Sequence, residues 1–160
     1  YENPIESVPE IAGYIAFYWD KMDSWHEEED EIFVHARDPY KRVDALGSSR
    51  HIRVLLGGET IAESRRPHLL FETGLPTQYY LPEEDVRMDL LVRSEKTSRC
   101  PYKGKAVYWS PKVNGETFED VVWSYPDPLP ECSKIKGLLA FYPDRVEDIF
   151  VDGEAAPKGV

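Results

Sequence analysis

Residues 98–110 read Ser-Arg-Cys-Pro-Tyr-Lys-Gly-Lys-Ala-Val-Tyr-Trp-Ser, with a thiol, three cations, two tyrosines and a tryptophan around one Pro and one Gly. Cys100 is a candidate nucleophile, because cations such as Arg99 and Lys103 lower the pKa of a nearby thiol. A cysteine nucleophile also needs a base. His26, His35, His51 and His68 all lie outside the segment. The plainer reading is a buried, inert thiol in a turn beside Pro101, and Cys132 reads as structural. Lys103 and Arg99, with Arg65 and Arg66, could bind a small anion, Lys as a point charge and Arg as a fork. The competing reading pairs them with Glu72, Glu83 or Asp85. Glu72 and Asp85 could also form an acid–base pair, although Asp is common in turns and caps.

The aromatic residues Tyr80, Tyr102, Tyr108, Trp109, Trp123 and Tyr125 could wall a ligand cavity by stacking or cation–π contact. Alternation along a strand puts Tyr108 and Trp109 on opposite faces, so only one of them can line a given pocket. Core filling is the competing use of these rings. The expected site joins Arg65, Glu72, Tyr80, Cys100, Tyr102, Lys103, Trp109 and Trp123. Within it Cys100, Lys103 and Glu72 are the catalytic candidates. No metal site and no cofactor are expected.

The elements that must position these groups are mostly strands. Residues 51–56 and 60–63 flank Gly57-Gly58, and residues 105–110 and 117–123 flank Asn114-Gly115, a strong hairpin signal. Residues 69–72, 78–81, 86–92 and 147–151 read as further strands. Ile11, Tyr14, Ile15, Tyr18, Trp19 and Met22 fall at helical spacing, which predicts an amphipathic helix over residues 9–25. A strand over residues 32–35 and a short helix over residues 133–142 are also expected. The order of the elements is therefore mainly β, with one helix per unit.

The front of the chain repeats its back. Ile11-Ala-Gly-Tyr-Ile-Ala-Phe-Tyr-Trp-Asp20 resembles Ile135-Lys-Gly-Leu-Leu-Ala-Phe-Tyr-Pro-Asp144, and Ile32-Phe-Val34 resembles Ile149-Phe-Val151. The division expected is residues 1–40 as the C-terminal part of an upstream copy, 41–50 as a linker, 51–154 as a complete domain and 155–160 as a tail. A helix without its sheet cannot bury its apolar face. Tyr14, Phe17, Tyr18 and Trp19 are therefore expected to pack on the complete domain, to self-associate with a second chain, or to dock on an upstream repeat domain.

Bulk properties narrow the function classes. The chain has 160 residues, 41% hydrophobic and 31% charged, with a formal net charge of -11. That balance suits a soluble folded domain. The charge disfavours nucleic acid and anionic membranes as partners, and no apolar run reaches the roughly 20 residues of a membrane helix. Two cysteines are too few for a disulfide framework or a four-cysteine zinc site. Free thiols suggest a reducing, cytoplasmic compartment. The start has neither Met nor a signal-peptide pattern, as expected of a cut or processed chain.

The runs Ala62-Glu-Ser-Arg-Arg-Pro, Glu72-Thr-Gly-Leu-Pro, Tyr79-Tyr-Leu-Pro-Glu-Glu-Asp-Val-Arg-Met-Asp89, Cys100-Pro-Tyr-Lys-Gly104, Ala106-Val-Tyr-Trp109, Trp123-Ser-Tyr-Pro-Asp-Pro128 and Gly137-Leu-Leu-Ala-Phe-Tyr142 resemble the DUF427 family over about residues 51–154. The resemblance implies a small fold of the Mss4-like or β-tent type, with two antiparallel sheets at an angle. Relatives of that fold often carry zinc on two Cys pairs, which this sequence lacks. The family is also labelled nucleotidyltransferase-like, but there is no glycine-rich phosphate loop or paired metal-binding aspartate to support that. The leading expectation is a domain binding a small polar or anionic ligand in an aromatic-lined pocket. The alternatives are an enzyme using Cys100 or Glu72 with Lys103 in acid–base, acyl or nucleotidyl-transfer-like chemistry, and a structural or interaction module packing through the repeat helix.

Overall fold

The computed structural model describes residues 2–4 and 6–158. The chain divides into two compact units, Tyr1–Ala36 and Arg37–Val160. The first unit holds one two-stranded sheet, β1 (His26–Glu27) and β2 (Asp30–Glu31), and two short 3₁₀ turns, Pro9–Ile11 and Trp19–Lys21. The Trp19 and Trp25 rings stack at 4.7 Å, and the Trp25 indole N–H donates to the Trp19 carbonyl at 2.9 Å.

The second unit is built from antiparallel strands. β3 (Val43–Gly47), β6 (His68–Glu72) and β7 (Gln78–Tyr80) form a three-stranded sheet in the order β3-β6-β7. β4 (Ile52–Leu56), β5 (Glu59–Ser64), β13 (Asp148–Val151) and β14 (Glu154–Ala155) form a second sheet, ordered β14-β13-β4-β5. A third sheet centres on β9 (Gly104–Val113), which pairs β8 (Leu91–Cys100), β10 (Glu116–Thr117) and β11 (Val122–Ser124); β11 in turn pairs β12 (Leu139–Phe141). The β9–β10 turn places Asn114 at φ 50° and Gly115 at φ 83°, the left-handed pair that a tight hairpin requires. The Leu81 and Leu139 amides each donate to the other's carbonyl, at 2.8 and 2.9 Å, which joins the first sheet to the third.

This joined sheet separates two cores. Val122, Leu139 and Phe141 turn one way and pack with Ile52, Val54, Leu56 and Ile61 of the second sheet. Trp123 and Ala140 turn the other way and pack with Tyr80, Tyr108, Tyr125, Cys132 and Ile135. The two-residue side-chain period of a strand produces this division. Each large side chain fully buried in this way contributes about 1.5–3 kcal/mol.

Five expectations need correcting. Residues 86–92 are not one strand: Met88–Leu90 form a 3₁₀ turn and β8 begins at Leu91. Residues 9–25 do not form a helix. Gly13 has φ 81°, and residues 14–18 carry no regular helix or strand between the two 3₁₀ turns. Ile15, Phe17, Tyr18 and Trp19 are β-branched or aromatic and lose side-chain freedom in a helix. Residues 32–35 are not a strand either; β1 and β2 precede them. The segment read as a helix over residues 133–142 is a 3₁₀ segment, Pro130–Ile135, followed by β12. A short apolar run buried on both faces is a strand pattern that periodicity does not separate from a helix. The stretch read as a linker, residues 41–50, contains β3, whose Ala45 is buried. Among the described residues no helix is long and apolar enough to cross a membrane.

Candidate functional site

The turn that joins β8 to β9 is held from both sides. Cys100 pairs with Gly104 across its base, and the Leu129 amide donates to the Lys103 carbonyl at 3.1 Å. The turn therefore lies over the second core cluster, and Tyr102 and Lys103 are buried. The Lys103 ammonium donates to Glu72 Oε2 at the end of β6, and Lys41 Nζ lies 3.3 Å from Glu72 Oε1. The Glu72 and Lys103 side chains are 7% and 10% exposed, so this pair is shielded from water, while Lys41 reaches the surface at 28%. One carboxylate thus faces two ammonium groups. An isolated buried charge costs several kcal/mol, so each member needs the other.

Lys41 connects this pair to an open hollow. Its ammonium lies 5.3 Å from the Tyr102 ring centre. The Tyr102 hydroxyl accepts from the Asp38 amide at 2.8 Å, and Asp38 Oδ1 accepts from the Tyr40 amide at 2.8 Å. Arg37 Nη1 pairs with Glu131 Oε1 at 3.0 Å. Arg37, Asp38, Pro39, Lys41, Val43, Tyr102 and Glu131 line a hollow of about 240 Å³. A separate depression of about 270 Å³ is lined by Arg42, Phe71, Glu72, Thr73 and Leu75.

A second cluster of polar tips lies in the same core. The Trp123 indole N–H donates to the Tyr80 hydroxyl at 3.1 Å. The Tyr108 hydroxyl lies 2.7 Å from Ser98 Oγ and 3.5 Å from the Tyr142 hydroxyl. Burial pushes the Tyr125 hydroxyl pKa up, and the neighbouring Tyr80, Cys100, Tyr108 and Tyr142 add to the rise. Burial likewise raises Tyr80 and Tyr142. These hydroxyls stay protonated and act as hydrogen-bond groups at neutral pH.

Residues 44–152 match the family described as a domain of unknown function, DUF427. The chain belongs to the DUF427 family. Among curated proteins none matches it.

The DUF427 domain brings some of the expected site residues together and leaves others out. Glu72 and Lys103 pair directly, and Lys41 links Glu72 to the Tyr102 ring. Tyr80, Cys100 and Trp123 belong to the same core cluster as the base of the turn, with Tyr80 and Trp123 buried and Cys100 partly so. Trp109 lies on the opposite face, packed on the other core with Arg93 4.6 Å over its ring. Arg65 is exposed in the turn between β5 and β6. Arg66 forks onto Asp85 with contacts of 3.1 and 3.0 Å, and Ser64 Oγ donates to the same carboxylate at 2.7 Å. These contacts hold the Asp85 carboxyl below the usual range and engage it apart from Glu72.

The thiols differ from each other. Cys132 is fully buried, its Sγ donates to the Tyr102 carbonyl at 3.5 Å, and burial pushes its pKa up. Among the described residues no histidine is hydrogen-bonded to Cys100; the ring nitrogens of His26, His35 and His51 bond Ser24, Ala36 and Glu63. No group of three or more His, Cys, Asp or Glu among the described residues is placed to hold a metal ion. Sequence reasoning missed Lys41, because a residue assigned to a linker was not expected to reach Glu72. The Asp38-Pro-Tyr turn was the available signal, since such a turn fixes the chain just before β3.

Proposed function

We propose that the DUF427 domain binds a small anionic molecule with a planar part, seated in the hollow between Lys41 and Tyr102. The observation that carries this reading is the shared carboxylate. Glu72 is shared by two ammonium groups, and the one at the rim of the hollow, Lys41, is within reach of a ligand there. The Tyr102 ring supplies a stacking face, and the Asp38 amide fixes its hydroxyl. In a chain of net charge -11, the cations Arg37 and Lys41 at the hollow favour small anions that fit it over large polyanions repelled by the whole surface.

The test is calorimetric titration with benzoate, nicotinate, inorganic phosphate and a nucleoside monophosphate. At least one aromatic acid is expected to bind, and Lys41→Ala to weaken it about tenfold, as loss of a charge-assisted contact should. Binding that survives Lys41→Ala unchanged, or no binding by any member at millimolar concentration, overturns the proposal.

A second reading is favoured by the Lys103–Glu72 contact itself. A shielded ammonium against a carboxylate is an acid–base pair, and the domain would then turn over the molecule it binds. Conversion of a bound acid that stops in Lys103→Met while binding persists separates catalysis from binding alone. The finer fold reading, two sheets meeting at an angle in a β-tent, and a cytoplasmic setting for the free thiols belong to the same proposal.

A further inference from the structure

Three side chains stand in one row across the outer face of the second sheet. Phe150 of β13, Arg53 of β4 and Glu63 of β5 are direct neighbours in register. Ile52 and Val54 on either side of Arg53 are buried in the first core, so alternation turns Arg53 outward. Its guanidinium lies 4.6 Å over the Phe150 ring centre. Glu63, directly opposite, is engaged elsewhere: His51 Nε2 donates to its Oε1 at 2.7 Å. His51 is itself held at both backbone groups by Asp152. Its amide donates to Asp152 Oδ1 at 2.9 Å, and its carbonyl accepts from the Asp152 amide at 2.8 Å. Among the described residues Arg53 makes no ion pair, and Glu63 Oε2 accepts no hydrogen bond.

Other arginines of the domain are used differently. Arg37, Arg42, Arg50, Arg66 and Arg87 each pair with a carboxylate at 3.0 Å or less. Arg93 and Arg145, like Arg53, lie over a ring and make no ion pair among the described residues, but both are exposed. Arg53 is half-buried, and with His51, Thr60, Glu63, Phe150 and Gly153 it lines a hollow of about 300 Å³. A cation's donors and a carboxylate oxygen thus border one space, each without a protein partner.

We propose that this hollow binds a free α-amino acid as its zwitterion, the carboxylate on Arg53 and the ammonium on Glu63 Oε2. The guanidinium fork matches a carboxylate in geometry and charge. The free oxygen of Glu63 accepts from an ammonium, and the Thr60 hydroxyl on the wall can do the same. Net charge selects this ligand class. A chain of -11 repels a free anion, whereas a zwitterion carries no net charge and is not repelled. Its two charges also match the opposite charges that β4 and β5 set side by side. The site shares no residue with the hollow at Lys41 and Tyr102, and does not rest on the reading given to that hollow.

Titration of the full chain with L-alanine tests this, followed by NMR at the backbone amides of Arg53, Thr60 and Glu63. A saturable shift at millimolar concentration is expected. Propionate and ethylamine carry only one of the two charged groups each. Both are expected to bind at least about tenfold more weakly, the loss of one charge-assisted contact. Arg53→Gln and Glu63→Gln should each weaken L-alanine about tenfold by the same arithmetic. Glu63 is exposed, so its variant keeps the test sound should Arg53→Gln disturb folding. Lys41→Ala should leave L-alanine binding unchanged, which separates this site from the hollow at Tyr102. The absence of a saturable shift overturns the proposal. So does propionate or ethylamine binding as well as L-alanine, full binding retained in Glu63→Gln, or binding lost in Lys41→Ala.

Discussion

Phe141 and Phe17 stand in the same local sequence, Leu-Ala-Phe-Tyr and Ile-Ala-Phe-Tyr, yet one is 2% exposed and the other 62%. The turns before them have the same hydrogen bonds, Tyr14 to Ile11 and Leu138 to Ile135, so local sequence suffices to set local backbone. It does not suffice to bury a side chain. Burial comes from two strand edges, at β11 and Leu81, that are contributed by residues far away in the chain. The charges follow the same division. Asp20 and Lys21 pair at 3.3 Å with both side chains more than two-thirds exposed, whereas Glu72 and Lys103 pair out of water.

This contrast can be broken by mutation. Phe141→Ala is expected to destabilise the protein by about 3–5 kcal/mol, the cost of lost transfer energy plus a cavity. Phe17→Ala should change stability by no more than about 0.5 kcal/mol, as for a surface site. Denaturant unfolding checks both, and equal effects would mean residue 17 is buried in solution. Glu72→Ala leaves Lys103 buried without a partner and is expected to cost about 3 kcal/mol or more. Lys21→Ala, its counterpart on the surface, should cost under about 0.5 kcal/mol. Gly137→Ala forces a side chain into left-handed backbone and is expected to cost about 1–2 kcal/mol. If Gly13→Ala costs as much in the global unfolding transition, the two units unfold together.

The smallest expected effect concerns pH. Asp85 has its folded pKa lowered, chiefly by its hydrogen bonds from Arg66, against a cost of burial that is larger than the further lowering by Ser64. A lowered folded value means that its contribution is fully present above the unfolded pKa near about 3.9 and is lost as pH falls through the folded value. Asp85→Asn is expected to flatten the acid limb of the stability curve below about pH 4 while leaving the neutral region little changed in slope. A wild-type acid limb retained in the variant would assign that limb to other carboxylates.

Much of the strand order could be read from residues. Asn114-Gly115 and Gly57-Gly58 marked hairpins because tight turns need backbone that most residues avoid. Tyr108 and Trp109 were expected on opposite faces, and they pack on different cores. Of the site, Glu72, Tyr102 and Lys103 were named from residue type; Glu72 and Lys103 pair, and Lys41 links them to Tyr102. Trp109 was named on proximity in sequence and packs on the other core, since neighbours along a strand point to opposite faces; Arg65 was named for its charge and is exposed in the turn after β5. Lys41 was missed because it lies in residues 41–50, just before β3, a stretch read as a linker from its Asp-Pro and Gly-Ser-Ser punctuation.

By itself, then, the sequence determined the turns, the alternation of faces and membership in the DUF427 family. Each depends on a few adjacent residues and on the steric limits of the backbone. Only the tertiary structure decided that β12 is a strand, that the segment after residue 40 is part of the sheet, and that two lysines share the Glu72 carboxylate. Those outcomes rest on contacts between residues tens of positions apart, and such contacts are fixed when the sheets close over a common core.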